Sequence, residues 1–128
     1  MSKRSILVVD DDRSVRSYLS DFLTSCGYSV ECAESGDQAV ARLSAGYVPS
    51  LIILDIVMPG INGIELYDRL QQKEETQGVP AIMMSATLPA DELQSRGIHQ
   101  LRKPMDIGNV IRMITHALAT SDERHMYG

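Results

Sequence analysis

Four apolar segments of this sequence run into residues able to do chemistry. Val8-Val9 leads into Asp10-Asp11-Asp12, Leu54 into Asp55, Met84 into Ser85, and the stretch Ile98 to Arg102 into Lys103. Carboxylates gathered at the rim of an apolar scaffold repel one another strongly unless a cation lies among them. Donor sets made only of oxygens favour Mg²⁺ or Mn²⁺. Such an ion keeps part of its coordination sphere for water and phosphate oxygens, which leaves one carboxylate free to attack phosphorus. A lysine and a serine alongside would neutralise and hydrogen-bond a bound phosphoryl group. The chemistry predicted is phosphoryl transfer to a carboxylate, and it requires Asp10, Asp11, Asp55, Ser85 and Lys103 to converge.

The elements that must bring them together can be read from periodicity. Ser5 to Val9 and Leu51 to Leu54 are nearly continuous apolar runs, the pattern of strands buried on both faces of a parallel sheet. Pro80 to Ser85 and the shorter Ile98 to Lys103 follow the same plan, and Tyr28 to Ala33 gives a more polar strand ending in Ala33 and Glu34, as an outer edge would. Between them, Val15, Leu19, Phe22 and Leu23 mark a helix over Arg13 to Cys26 with Asp12 as its N-cap. Ser35 with Gln38 and Asn62 with Glu65 announce two more helix starts. Asp106 is placed to cap a helix with Ile107, Val110, Ile111, Ile114 and Leu118 on one stripe, and the residues beyond about Ala119 read as a polar tail. Five strands alternating with helices predict an α/β fold, a parallel sheet with helices on both faces. Ligands of such sheets bind outside the carboxyl ends of the strands, where the five chemical residues fall.

Composition narrows the function further. At 128 residues the chain suits one domain with its own core. No apolar run is long enough for a membrane span or a signal peptide, so a cytoplasmic location is expected. The net charge is −5, but Asp10, Asp11, Asp12 and Asp55 supply four of the negatives, so the acidity is local. Nine arginines and three lysines scatter along the chain without the basic stripe of a nucleic-acid binder. Cys26 and Cys32 have no metal or redox spacing and read as buried reduced thiols. His99, His116 and His125 fall on a strand, a helix and the tail with no expected common setting, and the Met83-Met84 pair reads as core.

The chain resembles the receiver domain of bacterial two-component response regulators over about residues 4 to 119. The resemblance rests on Val8-Val9-Asp10-Asp11-Asp12, on Leu54-Asp55-Ile56-Val57-Met58-Pro59-Gly60 with Gly63, on Ser85-Ala86 and on Lys103-Pro104. It implies a flavodoxin-like doubly wound sheet of strand order 2-1-3-4-5, a receiver at 1–119 and a polar tail at 120–128. It also implies that Asp55 is the phosphoacceptor, that Asp10, Asp11 and Asp55 hold Mg²⁺ (or Mn²⁺) with the backbone carbonyl of Val57, and that Lys103 and Ser85 engage the phosphoryl group. The donor would be a phosphohistidine on a sensor histidine kinase or a phosphotransfer protein, and the readout a changed surface for an output partner or output domain. The Lys103–Pro104 bond is often cis in the family. No turnover substrate, nucleic acid or membrane is implied.

Departures from the family pattern concern output and lifetime. Gln100 stands where many receivers carry an aromatic residue three positions before the lysine. Ser85 and Lys103 are about one helical turn closer in sequence than is usual, and Leu93 is the single large apolar residue after Pro89 in the connection, so the fourth helix is expected to be short, weakly anchored and mobile. Val57 and Thr87, each two positions beyond a site residue, would flank the path of an attacking water. Three other functions share parts of the pattern. A haloacid-dehalogenase-like phosphohydrolase needs a second carboxylate where Val57 stands. A flavodoxin-like flavin or nucleotide site needs a loop of small residues where Asp10-Asp11-Asp12-Arg13 stands. A receiver-like interaction domain that is never phosphorylated needs none of the five residues.

Overall fold

A computed structural model describes residues 4–85, 90–103 and 106–127. Five strands alternate with five helices in the order β1 (Ser5–Val9), α1 (Arg13–Ser25), β2 (Ser29–Ala33), α2 (Gly36–Ser44), β3 (Leu51–Asp55), α3 (Gly63–Gln71), β4 (Ala81–Ser85), α4 (Ala90–Ser95), β5 (His99–Arg102) and α5 (Ile107–Tyr127). All four strand pairings are parallel and the sheet order is β2-β1-β3-β4-β5. The central strands β3 and β4 are buried at every residue, which explains their continuous apolar runs.

Alternation along the strands splits the core in two. Ile6, Val8, Leu51, Ile53, Ile82 and Met84 join Leu19 and Leu23 of α1 and Val110, Ile114 and Leu118 of α5. On the other face, Leu7, Val9, Ile52, Leu54 and Met83 join Ala39 of α2, Leu66 and Leu70 of α3 and Leu93 of α4. The predicted caps form. Asp12 accepts from the Ser14 N–H at 2.8 Å, Ser35 from Gln38 at 3.1 Å, Asn62 from Glu65 at 2.9 Å, and Asp106 from Gly108 at 2.8 Å. Gln38 completes its start from the other side, accepting from the Glu34 N–H at 2.7 Å.

Four sequence expectations change. Residues 120–127, expected as a tail, continue α5. No glycine or proline follows Gly108 before Gly128, so nothing in the chain stops the helix, and Asp122 is tied to Arg4 at 2.7 Å. The Arg4 pKa rises with that bond.

The fourth helix is short, six residues, but it is better anchored than its composition suggests. Leu93 is fully buried, Arg96 pairs with Asp68 of α3 at 2.8 and 3.0 Å, and the Tyr67 hydroxyl donates to the Arg96 carbonyl at 3.2 Å. His99 and His116 do share a setting. Their rings meet edge to face, with centroids 5.4 Å apart, because β5 packs beneath α5. Cys26 caps the C-terminus of α1 and is exposed, while Cys32 is half-buried and burial raises its thiol pKa; both are free. The expectations on Ala86, Thr87, Pro89 and the Lys103–Pro104 bond lie outside the described residues.

Candidate functional site

Parallel strands of similar length deliver their last residues to one rim. Asp10 follows β1, Asp55 closes β3, Ser85 closes β4 and Lys103 follows β5, with Asp55 beside Met84 in the register and the Lys103 N–H donating to the Ser85 carbonyl at 3.0 Å. One carboxylate oxygen from each of Asp10, Asp11 and Asp55 lies within 4.8 Å of the others. The Lys103 ammonium reaches Asp10 Oδ2 at 3.0 Å and Asp55 Oδ2 at 3.4 Å. All five predicted residues therefore converge: Asp10 is fully buried, Asp55 and Ser85 nearly so, Lys103 partly, and Asp11 is exposed.

Each acid is held differently. The Asp10 N–H donates to the Ala33 carbonyl at 3.2 Å, and its Oδ1 accepts from the Asp12 N–H at 2.9 Å, which leaves Oδ2 for Lys103. Burial pushes the Asp55 carboxyl above the ordinary carboxylate range and the Asp10 charge adds to this. The Lys103 ammonium and the Val57 backbone N–H pull it back only in part. Burial would lower the Lys103 pKa, but the hydrogen bond and charge of Asp10, with Asp55 beyond, outweigh it and the net shift is upward. A single ammonium thus serves two buried carboxylates, with Asp11 exposed beside them. Three convergent hard oxygen donors short of positive charge fit Mg²⁺ or Mn²⁺.

The loop after β3 is shaped by two glycines. A Cβ on Gly63 would lie 2.4 Å from the Asp55 carbonyl oxygen, so only glycine lets α3 start against the backbone of the strand end. Gly60 takes a φ of +77°, turning the chain between them. In that loop the Val57 side chain is 71% exposed and apolar, so no acid or base stands two residues beyond Asp55.

Sequence reasoning gave no role to Arg16. The structure aims it at the rim: its Nη1 donates to the Asp10 carbonyl at 2.8 Å. The signal was present, because Arg16 lies three residues before Leu19 and seven before Leu23, on the buried stripe of α1 at its open end.

The geometry has close counterparts. A family model described as response regulator receiver domain matches residues 6–115. The transcriptional regulatory protein ResD of Bacillus subtilis is 41% identical over 86 residues, 66% of this chain and 34% of that protein. The DNA-binding transcriptional regulator NtrC of Salmonella typhimurium is 30% identical over 128 residues, 97% of this chain and 27% of that protein. The chain therefore spans about a third or less of these two relatives. Among solved structures, the chemotaxis protein CheY4 of Vibrio cholerae superposes with a TM-score of 0.83 at 27% identity, covering 91% of this chain and 99% of that one. A putative response regulator of Chloroflexus aurantiacus gives 0.85 at 29% identity, covering 92% and 99%.

Proposed function

Because the chain belongs to the response regulator receiver family, we propose that Asp55 is its phosphoacceptor and that the receiver takes a phosphoryl group from a phosphohistidine of a sensor kinase or phosphotransfer protein. The observation that carries this reading is the convergence of the Asp10, Asp11 and Asp55 oxygens with Lys103 reaching two of them. A carboxylate oxygen of Asp55 attacks phosphorus as the phosphorus–nitrogen bond to the donor imidazole breaks, and the imidazole leaves with a proton. Asp10, Asp11, Asp55 and the Val57 carbonyl would hold Mg²⁺. Bound there, the ion would neutralise phosphoryl oxygens and the surplus carboxylate charge.

The chain's own contribution is position and charge. Asp10, pinned through its N–H and Oδ1, keeps its other oxygen turned toward Asp55. Lys103 is tethered by β5 close enough to move from carboxylate to phosphoryl oxygen without rebuilding the sheet. Ser85, at the end of the adjacent strand, hydrogen-bonds the same group, and its displacement passes the change to the following loop. Asp55 phosphorylation is self-modification with no turnover substrate, and an apolar residue at 57 supports that over phosphoester hydrolysis. A cytoplasmic location goes with accepting phosphate from a sensor kinase. No helix among the described residues is long and apolar enough to cross a membrane. Output passes through a partner or an attached domain, with no direct nucleic-acid contact by this chain.

Intact mass after incubation with acetyl phosphate, with and without Mg²⁺, tests the reading. The expected result is one Mg²⁺-dependent phosphoryl adduct that disappears in Asp55→Asn. An adduct that survives the substitution moves the acceptor elsewhere. No adduct together with no Mg²⁺ binding leaves an interaction domain that works without phosphorylation.

A further inference from the structure

Arg16 is a cation that the proposed chemistry does not use, and its side chain is only 14% exposed. Helical side chains lean toward the helix N-terminus, so an arginine in the first turns of α1 reaches back to the strand that precedes it. There Nη1 donates to the Asp10 carbonyl at 2.8 Å, while Nη2 lies 3.8 Å from Oε1 of Glu34, just after β2. The Asp10 carbonyl is the first beyond β1, past the last residue that the register pairs with β2 or β3. A buried carbonyl there needs another donor. The guanidinium fork supplies it and at the same time reaches the β2–α2 junction, where the Glu34 N–H is held by Gln38 and the Ala33 carbonyl accepts from the Asp10 N–H.

We propose that Arg16 is a positioning residue for the metal site: it fixes the Asp10 peptide, and through it the direction of the Asp10 carboxylate, by bracing the end of β1 against the junction after β2. The inference rests on the reading of Asp10 as a Mg²⁺ ligand. It differs from the role of Lys103, which meets the carboxylate oxygens themselves; Arg16 touches only the backbone on the far side of the residue. Its two possible influences have opposite signs. As a mere positive charge near the acids, Arg16 would weaken cation binding, so its removal would tighten it. As a brace, its removal lets Asp10 turn and weakens binding.

Arg16→Lys keeps the charge and removes the planar fork, and Arg16→Gln removes both. Calorimetric titration of the whole chain with Mg²⁺ should show the dissociation constant rising by roughly tenfold in Arg16→Lys, the scale found when a partner that orients a metal ligand is lost. Arg16→Gln should also bind more weakly than wild type. Glu34→Asp, which keeps the charge and draws the carboxylate back from the longer contact, should shift it less and in the same direction. Thermal melts without metal identify variants that unfold, and Glu34→Asp, at an exposed carboxylate, keeps the test available if both Arg16 variants do. Wild-type affinity in Arg16→Lys and Glu34→Asp, or tighter binding in Arg16→Gln, overturns the brace while wild-type Mg²⁺ binding leaves the receiver reading intact. No Mg²⁺ binding by the wild type overturns both.

Discussion

Lys103 lies 3.0 and 3.4 Å from Asp10 and Asp55 at the sheet rim, and Arg96 lies 2.8 and 3.0 Å from Asp68 between α4 and α3. The distances are alike and the electrostatic outcomes opposite. At the clamp, one guanidinium meets one carboxylate in a fork, and the hydrogen bond holds the Asp68 pKa below the ordinary range. At the rim, burial and the Asp10 charge leave Asp55 above it despite Lys103. Charge count and solvent, more than contact distance, separate a pair that steadies the fold from a group left in need of a ligand. The clamp region is therefore expected to govern stability, and the rim to sacrifice some of it for binding.

The largest expected effect lies beside the clamp. Leu93→Ala removes a fully buried apolar anchor of α4 and should cost about 3 kcal/mol in chemical denaturation. Its Mg²⁺-dependent adduct formation below the melting range should persist; loss of that activity in a folded variant would mean that the two regions are coupled. Next comes Asp55→Asn, which removes a buried charge held at unfavourable cost. It should raise the thermal midpoint by a few degrees near pH 7. Because the folded-state pKa of Asp55 lies above its unfolded value, the native carboxylate costs stability as pH rises through that window. The advantage of the asparagine should therefore vanish below the ordinary carboxylate range. A midpoint below wild type at pH 7 would reverse the contrast.

Asp68→Asn should have a smaller effect of opposite sign, at most about 1 kcal/mol, since this pair is partly exposed and screened. With its folded pKa depressed, Asp68 stabilises the protein above the ordinary carboxylate value, and that contribution is lost as pH falls through the depressed one. A melt series from neutral to acid pH should show wild type and variant converging at the acid end. The smallest expected difference is dynamic. Amides of 90–96 should exchange faster than those of 107–118, because a six-residue helix anchored, among its described side chains, by Leu93 alone opens more readily than α5 with Val110, Ile114 and Leu118 in the core. Equal protection would mean that the Asp68–Arg96 fork carries more than its exposure suggests.

The sequence by itself determined the alternation of strands and helices, the buried strands, the caps at Asp12, Ser35, Asn62 and Asp106, and the five residues at the rim. Each of these is a local signal: a strand buried on both faces must be apolar throughout, a cap must offer a short oxygen acceptor, and a residue closing a parallel strand faces the ligand crevice. What only the tertiary structure decided depends on residues far apart in the chain. Arg16 meets Glu34, Asp68 meets Arg96, His99 meets His116, and Arg4 meets Asp122 on a helix that runs past its apolar stripe. Such pairings follow from how helices seat on a twisted sheet, and no periodicity encodes them. The sign of the Asp55 shift belongs with them, because it depends on burial and on a neighbour 45 residues away, both fixed only once β1 and β3 lie side by side.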